Sequence, residues 1–234
     1  MYPARRVRCD DQPSVNDQLN DQLAKTRIAV VDHGTGNLTS LSRALVLAGA
    51  DVVRAESPEG LRDVDGVVLP GVGAFPAAIE SFRKRGFEEP IRDVVDRGIP
   101  VLGVCLGMQM LFEGSDEHGG AEGLGLIEGR VVLLDSQGER MPHIGWSPVL
   151  WQREHLLRDG LPAESAMYHV HSYCASEVPD PAVLAHSKHG SKFVTAVAVD
   201  SLWGVQFHPE KSSTDGLRLV ANFVSACDRR EVEE

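Results

Sequence analysis

Cysteine is scarce in this chain: Cys9, Cys105, Cys174 and Cys227 are scattered over 234 residues with no C-x-x-C pair. That scarcity argues against a disulfide framework and against a structural zinc site, and it fits a reducing, cytoplasmic compartment. Basic charge is short as well, with 23 Lys and Arg against 34 Asp and Glu for a net charge of −11. A balance of that sign disfavours nucleic acid or an anionic membrane surface as partner. Long apolar runs are missing: nothing approaches the roughly 18 uninterrupted apolar residues of a membrane span. The first 26 residues lack the apolar centre of a secretory signal and are rich in Asp, Gln and Asn, so 1–26 reads as a disordered extension. Residues 228–234 read as a charged tail.

What remains is globular in composition, with 42% hydrophobic and 24% charged residues. Residues 27–227 suit one domain with a full core. "RIAVVDHG", "DVVRA", "GVVLPG" and "IPVLGVC" read as short buried strands, alternating with helical patterns in "NLTSLSRALVLAGA", "AAIESFRKRG" and "EPIRDVVDRG". "LGMQMLFEG" reads as a further helix that stops at Gly114. This alternation predicts an α/β fold with a mostly parallel sheet covered on both faces. Strands dominate from Arg130 to His208 ("RVVLLD", "SAMYHVHSY", "AVLAHS", "FVTAVAVD", "LWGVQFH") and read as antiparallel additions, before a closing helix in "TDGLRLVANFVSAC".

Three short strings carry chemistry. "GVCLG" places Cys105 between glycines two residues either side, at the junction of an apolar strand and a helix. Such an elbow exposes a nucleophile, and a helix N-terminus favours thiolate over thiol. The string alone leaves a packing cysteine equally open, since free Cys is among the most buried residue types. "VQFHPE" ends a strand at His208, with Pro209 barring further ladder pairing and Glu210 close enough to hold the imidazole. "LPGVGAF" ends another strand in a glycine turn whose backbone N–H groups, with that of Leu106, suit an oxyanion hole. "PHIGW" (His143, Trp146) and "YHVHSY" (His169, His171) do not have metal-ligand spacing, so no metal and no cofactor are expected. "DHGTGN" lacks both the G-x-G-x-x-G spacing and a P-loop lysine, which speaks against a nucleotide there.

In this order, "LPGVGAF", "GVCLGMQ" and "GVQFHPEKS" resemble the motifs of class I glutamine amidotransferase domains, over about Arg27 to Cys227. The resemblance implies a flavodoxin-like α/β domain and a Cys-His-Glu triad on Cys105, His208 and Glu210. It also implies an oxyanion hole from Gly71, Val72, Gly73 and Leu106, and glutamine recognition by Gln109, Glu113, His171, Ser172 and Tyr173. "VDHGTGN", "PHIGW" and "HPEKS" are similar to the branch that serves imidazole glycerol phosphate synthases. That branch implies a separate (β/α)8-barrel cyclase as partner, which takes up the ammonia released from glutamine for histidine biosynthesis. The glutaminase of another synthase, such as anthranilate synthase, is the alternative within the family. An α/β-hydrolase is the alternative outside it, but there the acid comes between nucleophile and histidine in sequence, whereas Glu210 comes after His208, two residues on. Two positions depart from the branch pattern: His33 stands where Tyr is usual, and Ser147 where Asn is common.

Overall fold

The computed structural model describes residues 25–34 and 36–228. Apart from Lys25, Thr26 and Asp228, the expected N-terminal extension and C-terminal tail lie outside the described residues, as does Cys9.

The predicted parallel strands form the heart of one sheet. Strands β1 (Arg27–Val31), β2 (Asp51–Ala55), β3 (Gly66–Leu69), β4 (Val101–Val104) and β13 (Leu202–Val205) run parallel in the order β2-β1-β3-β4-β13. Successive side chains on a strand point to opposite faces, so a strand buried on both faces needs apolar residues throughout. Strand β1 meets this requirement. Ile28 and Val30 pack on one face with Leu41, Leu45 and Phe223, whereas Ala29 and Val31 pack on the other with Phe82, Ile91 and Val94. The covering helices are α1 (Leu38–Leu47), α2 (Phe75–Lys84), α3 (Glu88–Asp96) and α5 (Ser213–Cys227). Among the described residues no helix is long and apolar enough to cross a membrane.

Beyond β13 the sheet continues through the expected antiparallel additions. Strand β12 (Ser191–Val199) pairs antiparallel with β13, β10 (Tyr173–Ser176) with β12, and β7 (Ile127–Leu133) with β10; β5 (Phe112–Ser115) then pairs parallel with β7, and β6 (Ala121–Glu122) antiparallel with β5. A branch leaves β12 through β11 (Val183–His189) to β8 (His143–Trp151) and β9 (Glu164–His171).

One expectation is corrected. The helix after Cys105, α4, covers only Leu106–Met110, and the residues read as its continuation form β5. The cause lies in a competing segment. The N–H of Leu124 bonds the Met110 carbonyl, and those of Leu126 and Ile127 bond the Leu111 carbonyl, so these acceptors are taken from a further helical turn. Strand β8 went unread for a different reason. Its outward residues Ile144, Trp146 and Leu150 are themselves apolar and exposed, so the strand lacks the apolar/polar alternation that marks a half-buried strand.

Candidate active site

Cys105 sits between β4 and α4 at φ 55° and ψ −111°, a backbone conformation that a residue with a side chain adopts only under constraint. The flanking glycines show the constraint. A Cβ on Gly103 would lie 2.8 Å from the Gly107 carbonyl oxygen and from the Met108 nitrogen. One on Gly107 would lie 1.7 Å from the Leu69 carbonyl oxygen. The Cys105 N–H is meanwhile held at 2.8 Å by the Val205 carbonyl of β13. The spacing read from "GVCLG" is therefore a steric requirement of the turn. The helix expected to run to Gly114 is cut to Leu106–Met110, so its dipole behind Cys105 is weaker than expected, and the charged His208 is the cation at hand.

His208 follows β13, buried together with Gln206 and Phe207. Its N–H donates to the Tyr168 carbonyl at 2.8 Å, and its carbonyl accepts from Ser212 Oγ at 2.6 Å, while Ser212 Oγ accepts from the Tyr168 N–H. Those bonds pin the end of β13 to β9. The imidazole Nδ1 lies 3.0 Å from Glu210 Oε1, and both side chains are almost wholly enclosed. Burial opposes charging of His208. Hydrogen bonds to Cys105 and Glu210, with the attraction of both charges, outweigh it and push the pKa up to about 10. A charged imidazole beside Cys105 Sγ favours the thiolate, the form in which a cysteine attacks an electrophile.

A cavity of about 290 Å³ opens at Cys105. Of the sequence-predicted residues it brings together Cys105, His208, Val72, Gly73, Leu106, Gln109, His171, Ser172 and Tyr173. Glu210 stands behind His208. Gly71 lies off this cavity, at the root of its loop, where an added Cβ would come 2.9 Å from Leu106 Cβ. Glu113 is not brought to the cavity: it sits on β5 with its carboxylate accepting the Gly129 N–H at 3.1 Å, because the chain has left the helix that would have carried it inward.

The structure adds residues that sequence reasoning missed. Gln206 is wholly buried, and its Nε2 points at Cys105 Sγ at 3.7 Å. A glutamine within the apolar run "LWGVQF" was the available signal. Glu117 lines the cavity and accepts the Phe75 N–H at 2.7 Å, capping α2 just beyond the glycine turn; nothing local in the sequence marked it. Lys211 lines the mouth. Among the described residues no group of three His, Cys, Asp or Glu side chains is placed to hold a metal.

The family model "Glutamine amidotransferase class-I" matches residues 29–227. The chain therefore belongs to the class I glutamine amidotransferases, enzymes whose nucleophile is a cysteine. Within that class it is similar to curated HisH subunits of imidazole glycerol phosphate synthase. The one from Desulfitobacterium hafniense (strain Y51) is 42% identical over 196 residues, covering 84% of this chain and 92% of that protein. The one from Synechococcus sp. (strain JA-3-3Ab) is 45% identical over 211 residues, covering 89% and 97%. Solved structures share the fold. A putative GMP synthase component from Thermoplasma acidophilum has a TM-score of 0.67 at 22% identity, covering 89% of this chain and 97% of that one. PurLQS from Thermotoga maritima has a TM-score of 0.69 at 17% identity, covering 86% and 98%.

Proposed function

We propose that this chain is the glutaminase subunit of an imidazole glycerol phosphate synthase, hydrolysing glutamine to glutamate and ammonia for a separate cyclase subunit. The observation that carries the reading is the strained Cys105, bonded to a His208 that Glu210 holds, in a cavity large enough for an amino acid. In this mechanism the Cys105 thiolate attacks the side-chain amide carbon of glutamine. The developing oxyanion takes hydrogen bonds from the Leu106 N–H and from the Val72–Gly73 turn; one such donor is worth ~3 kcal/mol of transition-state stabilisation. His208 gives its proton to the departing ammonia, then takes one from the water that hydrolyses the glutamyl thioester. Glu210 keeps the imidazole oriented. Gln109, His171, Ser172 and Tyr173 receive the amino-acid end of the substrate.

Ile144 and Trp146 on β8, with Val72 beside the cavity, are more than two-fifths exposed. Apolar groups left open next to a site whose product is volatile suit a docked partner that receives it. The partner in this reading is the (β/α)8-barrel cyclase, which incorporates the ammonia into imidazole glycerol phosphate and releases aminoimidazole carboxamide ribonucleotide. The pair would work in the cytoplasm, where a thiol nucleophile stays reduced.

Glutaminase activity of the purified chain, alone and with the cyclase and its nucleotide ligand, tests the reading. Glutamine hydrolysis should rise on complex formation. In the complex, Cys105→Ser should lose glutamine-dependent synthesis while keeping synthesis fed by ammonium salt. Undiminished glutamine turnover in Cys105→Ser, or a cyclase that gains nothing from this chain, would overturn it.

A further inference from the structure

Beside the active cavity, Ser147, His143 and His171 form a hydrogen-bonded chain whose directions can be read from its chemistry. It ends on the Tyr173 carbonyl, which only accepts, so His171 Nδ1 at 2.9 Å must carry a hydrogen. Burial holds His171 neutral with a pKa of about 3, which makes its Nε2 a lone pair. His143 Nδ1, 3.0 Å from that Nε2, is therefore the donor. Burial, with His189 nearby, lowers His143 to about 4, so this ring is also neutral and its Nε2 accepts. The group facing that Nε2 at 2.8 Å is Ser147 Oγ, and its hydroxyl must donate. Every proton in the run is fixed from one end, by the Tyr173 carbonyl.

From the Tyr173 carbonyl the network continues to the nucleophile. Gln109 Nε2 donates to that carbonyl at 3.0 Å and to Gln206 Oε1 at 3.1 Å. Gln206 Nε2 then addresses Cys105 Sγ at 3.7 Å. Both amide hydrogens of Gln109 are thus committed, and its oxygen is the atom left to meet a ligand in the cavity. Had His171 its proton on Nε2 instead, its Nδ1 lone pair would face the Tyr173 oxygen. The Val170–Tyr173 wall would then lose the bond that fixes it.

We propose that Ser147 is a positioning residue: its hydroxyl donates to His143 Nε2 and holds that ring against His171, and through the two rings it fixes the placement of Tyr173 and Gln109 around the substrate. This rests on the glutaminase reading only for its kinetic consequence. Removing the hydroxyl leaves His143 Nε2 without its donor and frees the ring to turn away from His171 Nε2, from which its Nδ1 now stands 3.0 Å. Ser147 sits on β8 in register with Met167 of β9, between the exposed Trp146 and Pro148, so the same strand carries the control point and the open apolar face.

The test combines ¹⁵N imidazole NMR of the full chain, labelled on histidine, with steady-state kinetics of its complex with the cyclase. The wild type should show His143 and His171 neutral with both protons on Nδ1. Ser147→Ala should change the His143 pattern and raise KM for glutamine about three- to tenfold, the span of one lost hydrogen bond, with a smaller change in kcat. Ser147→Thr, which keeps the hydroxyl, should restore both. A wild-type His143 with its proton on Nε2 overturns the proposal, and so does an unchanged KM in Ser147→Ala or an equal loss in the Ala and Thr variants. The tautomers are read without substrate. Failure of the glutaminase reading would show instead as no glutamine turnover in the wild-type complex.

Discussion

In the proposed mechanism Glu210 acts on chemistry it never touches. The raised pKa of His208 is a balance in which burial pulls down while the Cys105 and Glu210 hydrogen bonds and charges pull up. Glu210→Gln keeps the shape and most of the burial but removes one upward contribution. The His208 pKa should therefore fall. If the active form is the thiolate–imidazolium pair, its alkaline limit is loss of the His208 proton. The alkaline limb of kcat/KM should accordingly move down by on the order of one pH unit or more in this variant. The same substitution has a stability counterpart. A histidine whose pKa is raised on folding contributes stability that is complete below its unfolded value near 6.5 and lost as pH climbs toward 10. Glu210→Gln should thus be less stable than wild type at neutral pH, with the difference shrinking on the alkaline side. A pH–rate profile with an unmoved alkaline limb would show that Glu210 does not tune His208.

The elements divide into those that local pattern dictates and those that distant pairing decides. Strands β1, β3 and β4 were legible because burial on both faces demands an unbroken apolar run, and "IAVV", "VVL" and "VLGV" provide one. The glycines of the elbow were legible because their spacing is a steric code, and His208 with Glu210 because Pro209 marks a strand end. The short α4 was not. Nothing within "LGMQMLFEG" says that residues 123–127 will claim its carbonyls. Glu113 was misplaced with it, and Gln206, Glu117 and the Ser147 chain depend on strands that meet only in three dimensions. His33, one of the two departures, turns out to serve the site's framework. Buried, its Nε2 donates to the Pro70 carbonyl at 2.8 Å and ties down the root of the Gly71–Gly73 turn. Gly71 is clamped there against Leu106, whereas Gly73, at φ +103°, has open space where a Cβ would go. Any reorientation of this turn is thereby confined to its Val72–Gly73 tip. Gly73→Ala meets no clash but strains the backbone, at a cost of about 1–2 kcal/mol. On the proposed mechanism, misaiming the N–H of this turn should lower glutaminase kcat roughly tenfold or more. Thermal unfolding should shift only by a few degrees. A variant with full kcat would remove the turn from the catalytic apparatus.

Across the whole molecule the histidines oppose one another as pH changes. His143, His169 and His171 stack and bond within one buried cluster, with ring centroids 4.9–5.6 Å apart. Burial is the chief cause that holds His169 at about 2, His171 at about 3 and His143 at about 4, with repulsion from neighbouring histidines added: His171 and His143 on His169, His143 and His189 on His171, and His189, against the pull of Glu139, on His143. Their folded values lie below the unfolded one near 6.5, so the sign is the reverse of that for His208. The stability they contribute is present above pH 6.5 and lost as pH falls toward the folded values. Each neutral ring that binds a proton only on unfolding steepens the loss by about 1.4 kcal/mol per pH unit, once pH is well below 6.5. His208 does not compensate, since it is charged in both states at acid pH. The three rings together should therefore drive acid destabilisation between about pH 6 and 4, before most carboxylates titrate. Urea unfolding at pH 7 and pH 5 measures this directly: the midpoint should fall sharply at pH 5, and calorimetric unfolding there should take up protons. Equal midpoints at the two pH values would mean that the cluster is already protonated in the folded protein. The tautomer-locked chain from Ser147 to Tyr173 could not then exist, because it requires His143 and His171 to remain neutral.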